Sequence, residues 1–238
     1  MPDGAVFAGP SPYESVLLRE VTGPALRPGG IYLTGRAADF CGFVPGARLL
    51  DVGCGAGATL ECLSDRYGDS VSGLDGSRIL LDEARRRNPL LSLTEGRAEA
   101  LPYLDGTMDG IFCECVLSLL SDPRQTLGEF RRVLRTGGYL VLSDLYERPG
   151  FGSQPCGALA GGPSVSGATA EALDELVREC GFTVLLWEDH TRLLKELAAR
   201  LILAGIPVEN FYGRSCCGSP LSVGSRPGYY LLIGRRVG

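Results

Sequence analysis

Apolar positions along the chain fall into short continuous runs, separated by longer stretches in which they recur every three or four residues. "ARLLDVG" (47–53), "SVSGLD" (70–75), "LSLTEG" (91–96), "MDGIFCEC" (108–115) and "YLVLSDLY" (139–146) read as strands; the first ends in glycine. Between them, "ATLECLSDRYG", "SRILLDEARRRN" and "PRQTLGEFRRVLRTGG" read as helices. Gly68 stops the first, Ser77 caps the second, and the third starts at Pro123 and ends at Gly137-Gly138. Residues 31–43 predict a further helix beginning near Thr34, after a loop-rich start. Strand and helix alternating at this spacing predict a parallel sheet with helices on both faces.

The second half changes style. Residues 148–168 form a Gly/Pro/Ser-rich connection. Then come a helix ("TAEALDELVREC"), a strand ("FTVLLWED"), a helix ("TRLLKELAARLILAG"), a loop containing "RSCCGSPLSVGSRPG", and a last strand ("YYLLIGRR"). The reading is one domain over 1–238: an N-terminal lid segment (1–44), a core (45–147), and cap insertions with the last strands (148–238).

Composition narrows the function classes. The chain has 238 residues, 45% of them hydrophobic, enough for a sizeable core. Its formal net charge of −5 argues against nucleic acid or an anionic membrane surface as the main partner. The N-terminus lacks the basic start and apolar core of a leader, and no apolar run reaches the roughly 18 residues of a membrane span. A soluble, cytoplasmic protein is expected. The nine cysteines form no CxxC pair and no regular framework, so neither a disulfide scaffold nor a metal site is expected.

The chemistry concentrates in "LLDVGCGAGATLECL" (49–63). In an open parallel sheet, ligands bind beyond the carboxyl ends of the strands, where the strand order reverses. Gly53, Gly55 and Gly57 stand at that edge and allow tight turns and close backbone approach. The helix beginning near Ala58 turns its free N–H groups into the same crevice. Asp75, ending the second strand, is placed to accept hydrogen bonds from ribose hydroxyls. A glycine-rich turn of this kind also fits an NAD site. Asp51, where dinucleotide enzymes carry an apolar residue, tilts the choice away from it.

"LLDVGCGAG", "GLDGS", "GRAEALPYLDGTMDGIF" and "EFRRVLRTGGYLVLSD", in that order, resemble the class I S-adenosylmethionine-dependent methyltransferases. Within them the chain looks most like the small-molecule branch that includes quinone-biosynthesis and arsenite methyltransferases. The resemblance covers about residues 45–147. It implies a Rossmann-like, seven-stranded, mostly parallel sheet whose last strand is antiparallel, S-adenosyl-L-methionine as cofactor, and a small-molecule acceptor.

Carried over residue by residue, it places Asp51 toward the methionine ammonium, and Gly53, Cys54 and Gly55 along the amino-acid part. Asp75 would hold the ribose hydroxyls, with Gly76 and Ser77 at the adenine edge. The Ala98 N–H would meet the adenine ring, and the Cys113 backbone would lie near the methionine group. The family usually has an acid where Arg97 stands, and a guanidinium cannot accept a hydrogen bond. Arg97 would stack on adenine or leave that task to backbone.

Methyl transfer needs little from the protein beyond alignment and exclusion of water, and a base only when the acceptor arrives protonated. His190, the only histidine, is the candidate base; a capping role is the alternative. Segments 146–168 and 188–227 are expected to crowd over the active face, with 11–36 closing the other side. They bring Cys156, Cys216 and Cys217, which either pack a cap over an organic acceptor or bind a soft centre such as a trivalent arsenical. A nucleotide-dependent oxidoreductase and a noncatalytic binding protein are the other function classes compatible with these residues.

Overall fold

The computed structural model describes residues 22–23, 25–148, 168–206 and 226–238. Seven strands form one sheet: β1 (Leu49–Val52), β2 (Val71–Asp75), β3 (Ser92–Glu95), β4 (Met108–Glu114), β5 (Leu134–Glu147), β6 (Phe182–Asp189) and β7 (Pro227–Arg236). Their order is β3-β2-β1-β4-β5-β7-β6. Strands β1 to β5 pair in parallel, and β7 runs antiparallel between β5 and β6. The expected Rossmann-like sheet with one antiparallel strand is therefore present. Among the described residues, no helix is long and apolar enough to cross a membrane.

Among the described residues six helices pack on it: α1 (Tyr32–Cys41), α2 (Ala58–Tyr67), α3 (Arg78–Arg87), α4 (Pro123–Val133), α5 (Ala170–Glu179) and α6 (Thr191–Leu203). One face buries α4 and α5 through Leu127, Phe130, Leu173 and Val177 against Leu50, Ile111 and Leu142. The other buries α1, α2 and α6 through Leu33, Leu60 and Leu194 against Leu49, Phe112 and Val141. The caps follow local chemistry. Ser77 accepts from the Leu80 N–H at the start of α3, and Asp122 caps α4 with Pro123 in its first turn.

The largest boundary difference from the sequence reading is at the end of α4. The third predicted helix stops at Val133, not at Gly137-Gly138, and β5 begins at Leu134. Leu134 pairs with Met108, a register shift follows, and regular pairing resumes at Gly110–Tyr139. Pairing with β4 thus overrides the glycine stop, and Gly137, at φ +76°, becomes part of an irregular strand entry.

The carboxyl ends of β1, β2, β4, β5 and β6 share one edge with the start of β7. Strand order reverses between β1 and β4, which opens the crevice there.

Candidate functional site

Side chains alternate along a strand, so residues two apart share a face. On the α1/α2 face, β1 presents Leu49 then Asp51, β4 presents Phe112 then Glu114, and β5 presents Val141 then Ser143. Each strand is apolar in its middle and turns polar toward its carboxyl end. The result is a buried polar floor at the edge where strand order reverses.

Glu114 is the hub of that floor. Thr59 Oγ1 donates to it at 2.9 Å, Thr34 Oγ1 lies 3.1 Å from Oε2, and Ser143 Oγ lies 3.5 Å from Oε1. Arg27, from the segment before α1, stands 3.0 Å from Oε2. Its Nε donates to the Gly30 carbonyl and its Nη2 to Thr34 Oγ1. Burial works against the Arg27 charge, but Glu114, with smaller help from Tyr229 and Asp51, holds its pKa above the ordinary value.

Asp51 lies in the same floor with 2% exposure, and its Oδ2 has no hydrogen-bond partner. Burial first, then the Glu114 charge, lifts its carboxyl well above the usual range, against the pull of Arg27. A buried carboxylate oxygen with nothing to bind is costly unless a cation or donor completes it.

The glycine loop runs beside it. Gly53 N–H donates to the Leu74 carbonyl at 2.7 Å, and Gly55 N–H donates to Asp75 Oδ2 at 2.8 Å. Gly53 takes φ +75°, and a Cβ there would collide with Val116. The N-cap of α2 is Gly57 at φ +85°, with no side-chain capping bond, so the first helical N–H groups face the loop side uncapped. Asp75 ties the loop to the next turn, because its Oδ1 accepts from Ser77 N–H at 2.7 Å.

Past Glu114 the chain leaves β4 through Cys115, whose φ of +58° makes it the one described non-glycine residue in the left-handed region. Its Sγ lies 3.1 Å from Tyr229 Oη, which lies 3.2 Å from Ser143 Oγ. Burial pushes both the Cys115 thiol and the Tyr229 hydroxyl up, so each keeps its proton. Asp144 fixes the 3-10 turn Leu117–Leu119 by accepting from Ser118 N–H at 2.9 Å and Ser118 Oγ at 2.7 Å.

Residues 50–142, which hold this loop, both acids and Glu114, match the methyltransferase domain family. This stretch is similar to the methyltransferase domains of several curated enzymes. A demethylmenaquinone methyltransferase of Renibacterium salmoninarum is 37% identical over 114 residues, 48% of this chain and 47% of the relative. The chain thus spans about half the length of that curated relative. An O-methyltransferase of Pyrenophora dematioidea is 28% identical over 205 residues, 81% of this chain and 76% of the relative. Among solved structures, the (4+2)-cyclase SpnF superposes with a TM-score of 0.72 at 26% identity, covering 95% of each chain.

The matched stretch brings Asp51, Gly53, Cys54, Gly55, Asp75, Gly76 and Ser77 to one edge. Cys54 sits inside the loop, its N–H donating to the Leu74 carbonyl and its own carbonyl accepting from the Gly57 N–H, and burial pushes its thiol up. Gly76 lies against the end of β3, where a Cβ would stand 3.7 Å from the Gly96 carbonyl. Ala98 is buried at 6% exposure. The Arg97 side chain is 71% exposed and bonds Glu99. Cys113 sits in the core, paired on one side with Val52 and on the other with Leu142.

His190 is placed apart from these. It is the N-cap of α6 beyond β6, with Nε2 2.9 Å from Glu188 Oε2, and Glu188 in turn pairs with Arg36 at 2.7 Å. Burial opposes the Glu188 carboxylate, yet the bonds from His190 and Arg36 hold its pKa below the ordinary value. Cys156, Cys216 and Cys217 lie outside the described residues, as does most of the proposed cap.

Sequence reasoning missed Arg27, Thr34, Thr59 and Glu114. A usable signal was present: an acid inside the otherwise apolar run "GIFCEC" of a central strand must find buried partners.

Proposed function

We propose that this protein transfers the methyl group of S-adenosyl-L-methionine to a small organic acceptor. The observation that carries the reading is Asp51 Oδ2: a buried acid oxygen without a protein partner, beside a glycine loop whose Gly55 N–H donates to Asp75. Those residues fit the donor's chemistry, an ammonium, a ribose and a carboxylate.

When bound, the donor supplies a methyl group already activated by its sulfonium. The protein's tasks are binding, alignment and exclusion of water. Asp51 would hold the ammonium, Asp75 the ribose hydroxyls, and Gly53 and Gly55 would let the backbone approach. Arg27 neutralises Glu114, so the floor offers Asp51 as its uncompensated acid. Ala98 and the Gly76–Ser77 turn are the residues assigned to the adenine side. Relatives named for demethylmenaquinone and O-methylation support a small-molecule acceptor.

A second reading rests on the likeness to a cyclase over 95% of the chain, since one fold hosts several chemistries. Incubating the protein with labelled donor and pooled metabolites separates the two. Formation of S-adenosylhomocysteine with a methylated product supports transfer. Acceptor conversion with the donor intact supports the other.

A further inference from the structure

At the opposite end of the sheet, where β4 and β5 begin and β7 ends, four arginines and one aspartate line a recess of about 430 Å³: Arg131, Arg132, Arg135, Arg236 and Asp105. Along β4 this recess lies roughly 20 Å from the Asp51 floor, at about 3.3 Å per residue. Such a concentration of positive charge does not follow from composition, because the chain as a whole carries −5.

The four guanidiniums are not equivalent. Arg132 is fully used: Glu129 takes Nε and Nη2, Asp105 takes Nη1, and the Leu101 and Tyr103 carbonyls accept as well. Arg135 gives Nε to Asp109. Arg131 and Arg236 have no carboxylate among the described residues. Arg236 turns Nη1 to the Arg132 and Leu134 carbonyls at the end of α4, and its buried Nε bonds nothing. Arg131 lies across Gly181, where a Cβ would collide with its Nε, so a glycine keeps that position clear. Gly128, on the α4 face lining the recess, likewise leaves open space.

Two planar guanidiniums line one recess with no described carboxylate bonded to either, and such a pair suits an oxyanion with more than one charge. The recess has the volume of a small-molecule site rather than of a long peptide track. We infer that this recess binds a small phosphorylated anion, with Arg131 and Arg236 as its recognition residues and Arg135 at its rim. The site is separate from the methyl-donor site and does not rest on that assignment.

The test titrates inorganic pyrophosphate into the 238-residue protein by calorimetry, with sulfate at matched ionic strength as control. Pyrophosphate should bind at one site, and sulfate at least tenfold more weakly. Arg131→Gln, on a half-buried residue with no described bond to lose, should weaken pyrophosphate at least tenfold and leave S-adenosylhomocysteine binding unchanged. Arg236→Lys, which keeps the charge but not the fork, should also weaken it. The inference is overturned if pyrophosphate binds no better than sulfate, or if its affinity survives Arg131→Gln. It is also overturned if only an acidic peptide, and not pyrophosphate, binds in an Arg131-dependent way.

Discussion

Arg27 Nη2 stands 3.0 Å from Glu114 Oε2, with 9% and 1% of the two side chains exposed. The pair joins the segment before α1 to the carboxyl end of β4, at the sheet edge that carries the glycine loop. It also leaves Asp51 as the acid of the floor whose Oδ2 has no partner.

Removing one member strands the other in a buried setting. Arg27→Met should destabilise the protein by about 3–5 kcal/mol, the range for breaking a buried pair. Arg27→Met with Glu114→Leu should recover much of that loss. Urea denaturation reads both. A single variant within about 1 kcal/mol of wild type would show that the pair is not holding this segment.

Asp51 predicts a pH dependence. Its folded carboxyl sits above its ordinary value, so between the unfolded and folded values the folded state binds the extra proton. Stability without donor is then greatest below the ordinary carboxylate range and falls as pH rises through the folded value. Binding of the cationic donor runs the other way: it strengthens with pH and releases a proton. Asp51→Asn should flatten both slopes, raise the melting temperature at neutral pH and weaken donor binding. Proton release measured in buffers of different ionisation enthalpy checks this. Release that persists in the variant would assign it to another group.

Gly53→Ala meets both φ +75° and the Val116 side chain. The backbone alone should cost about 1–2 kcal/mol, and the collision adds to it. Denaturation should show the loss, and donor affinity should fall with it. A variant that unfolds and binds like wild type would mean the loop relaxes freely.

His190 lies beyond β6, separated from β4 by β5 and β7, or roughly 14 Å at about 4.8 Å per strand. His190→Gln should keep S-adenosylhomocysteine affinity and hold turnover within about tenfold. A loss of a hundredfold or more at unchanged affinity would make it the general base.

The strands were legible because a buried parallel sheet writes itself as short apolar runs: the predicted run "FTVLLWED" is β6 residue for residue. Ser77 was legible as a cap because its hydroxyl serves a neighbour three residues on. The end of α4 was not, since β4 pairing across the sheet overrode the local glycine signal. The positions of the glycine loop, Asp51 and Asp75 at one sheet edge were legible because each stands at the end of a predicted strand. The Arg27–Glu114 pair was not, because only the fold brings a pre-helix loop to the end of a central strand. His190 was visible as a residue type, but the placement of β6 at the far edge of the sheet was needed to locate it.

The central claim is that the Asp51–Asp75 edge holds the methyl donor. Calorimetric titration of S-adenosylhomocysteine into wild type and Asp75→Ala tests it most directly. The account predicts one site in the wild type and binding weaker by about 1.5–3 kcal/mol in the folded variant, the range for hydrogen bonds to a charged group, or about ten- to a hundredfold. No binding by the wild type, or equal affinity in a folded Asp75→Ala protein, would contradict it.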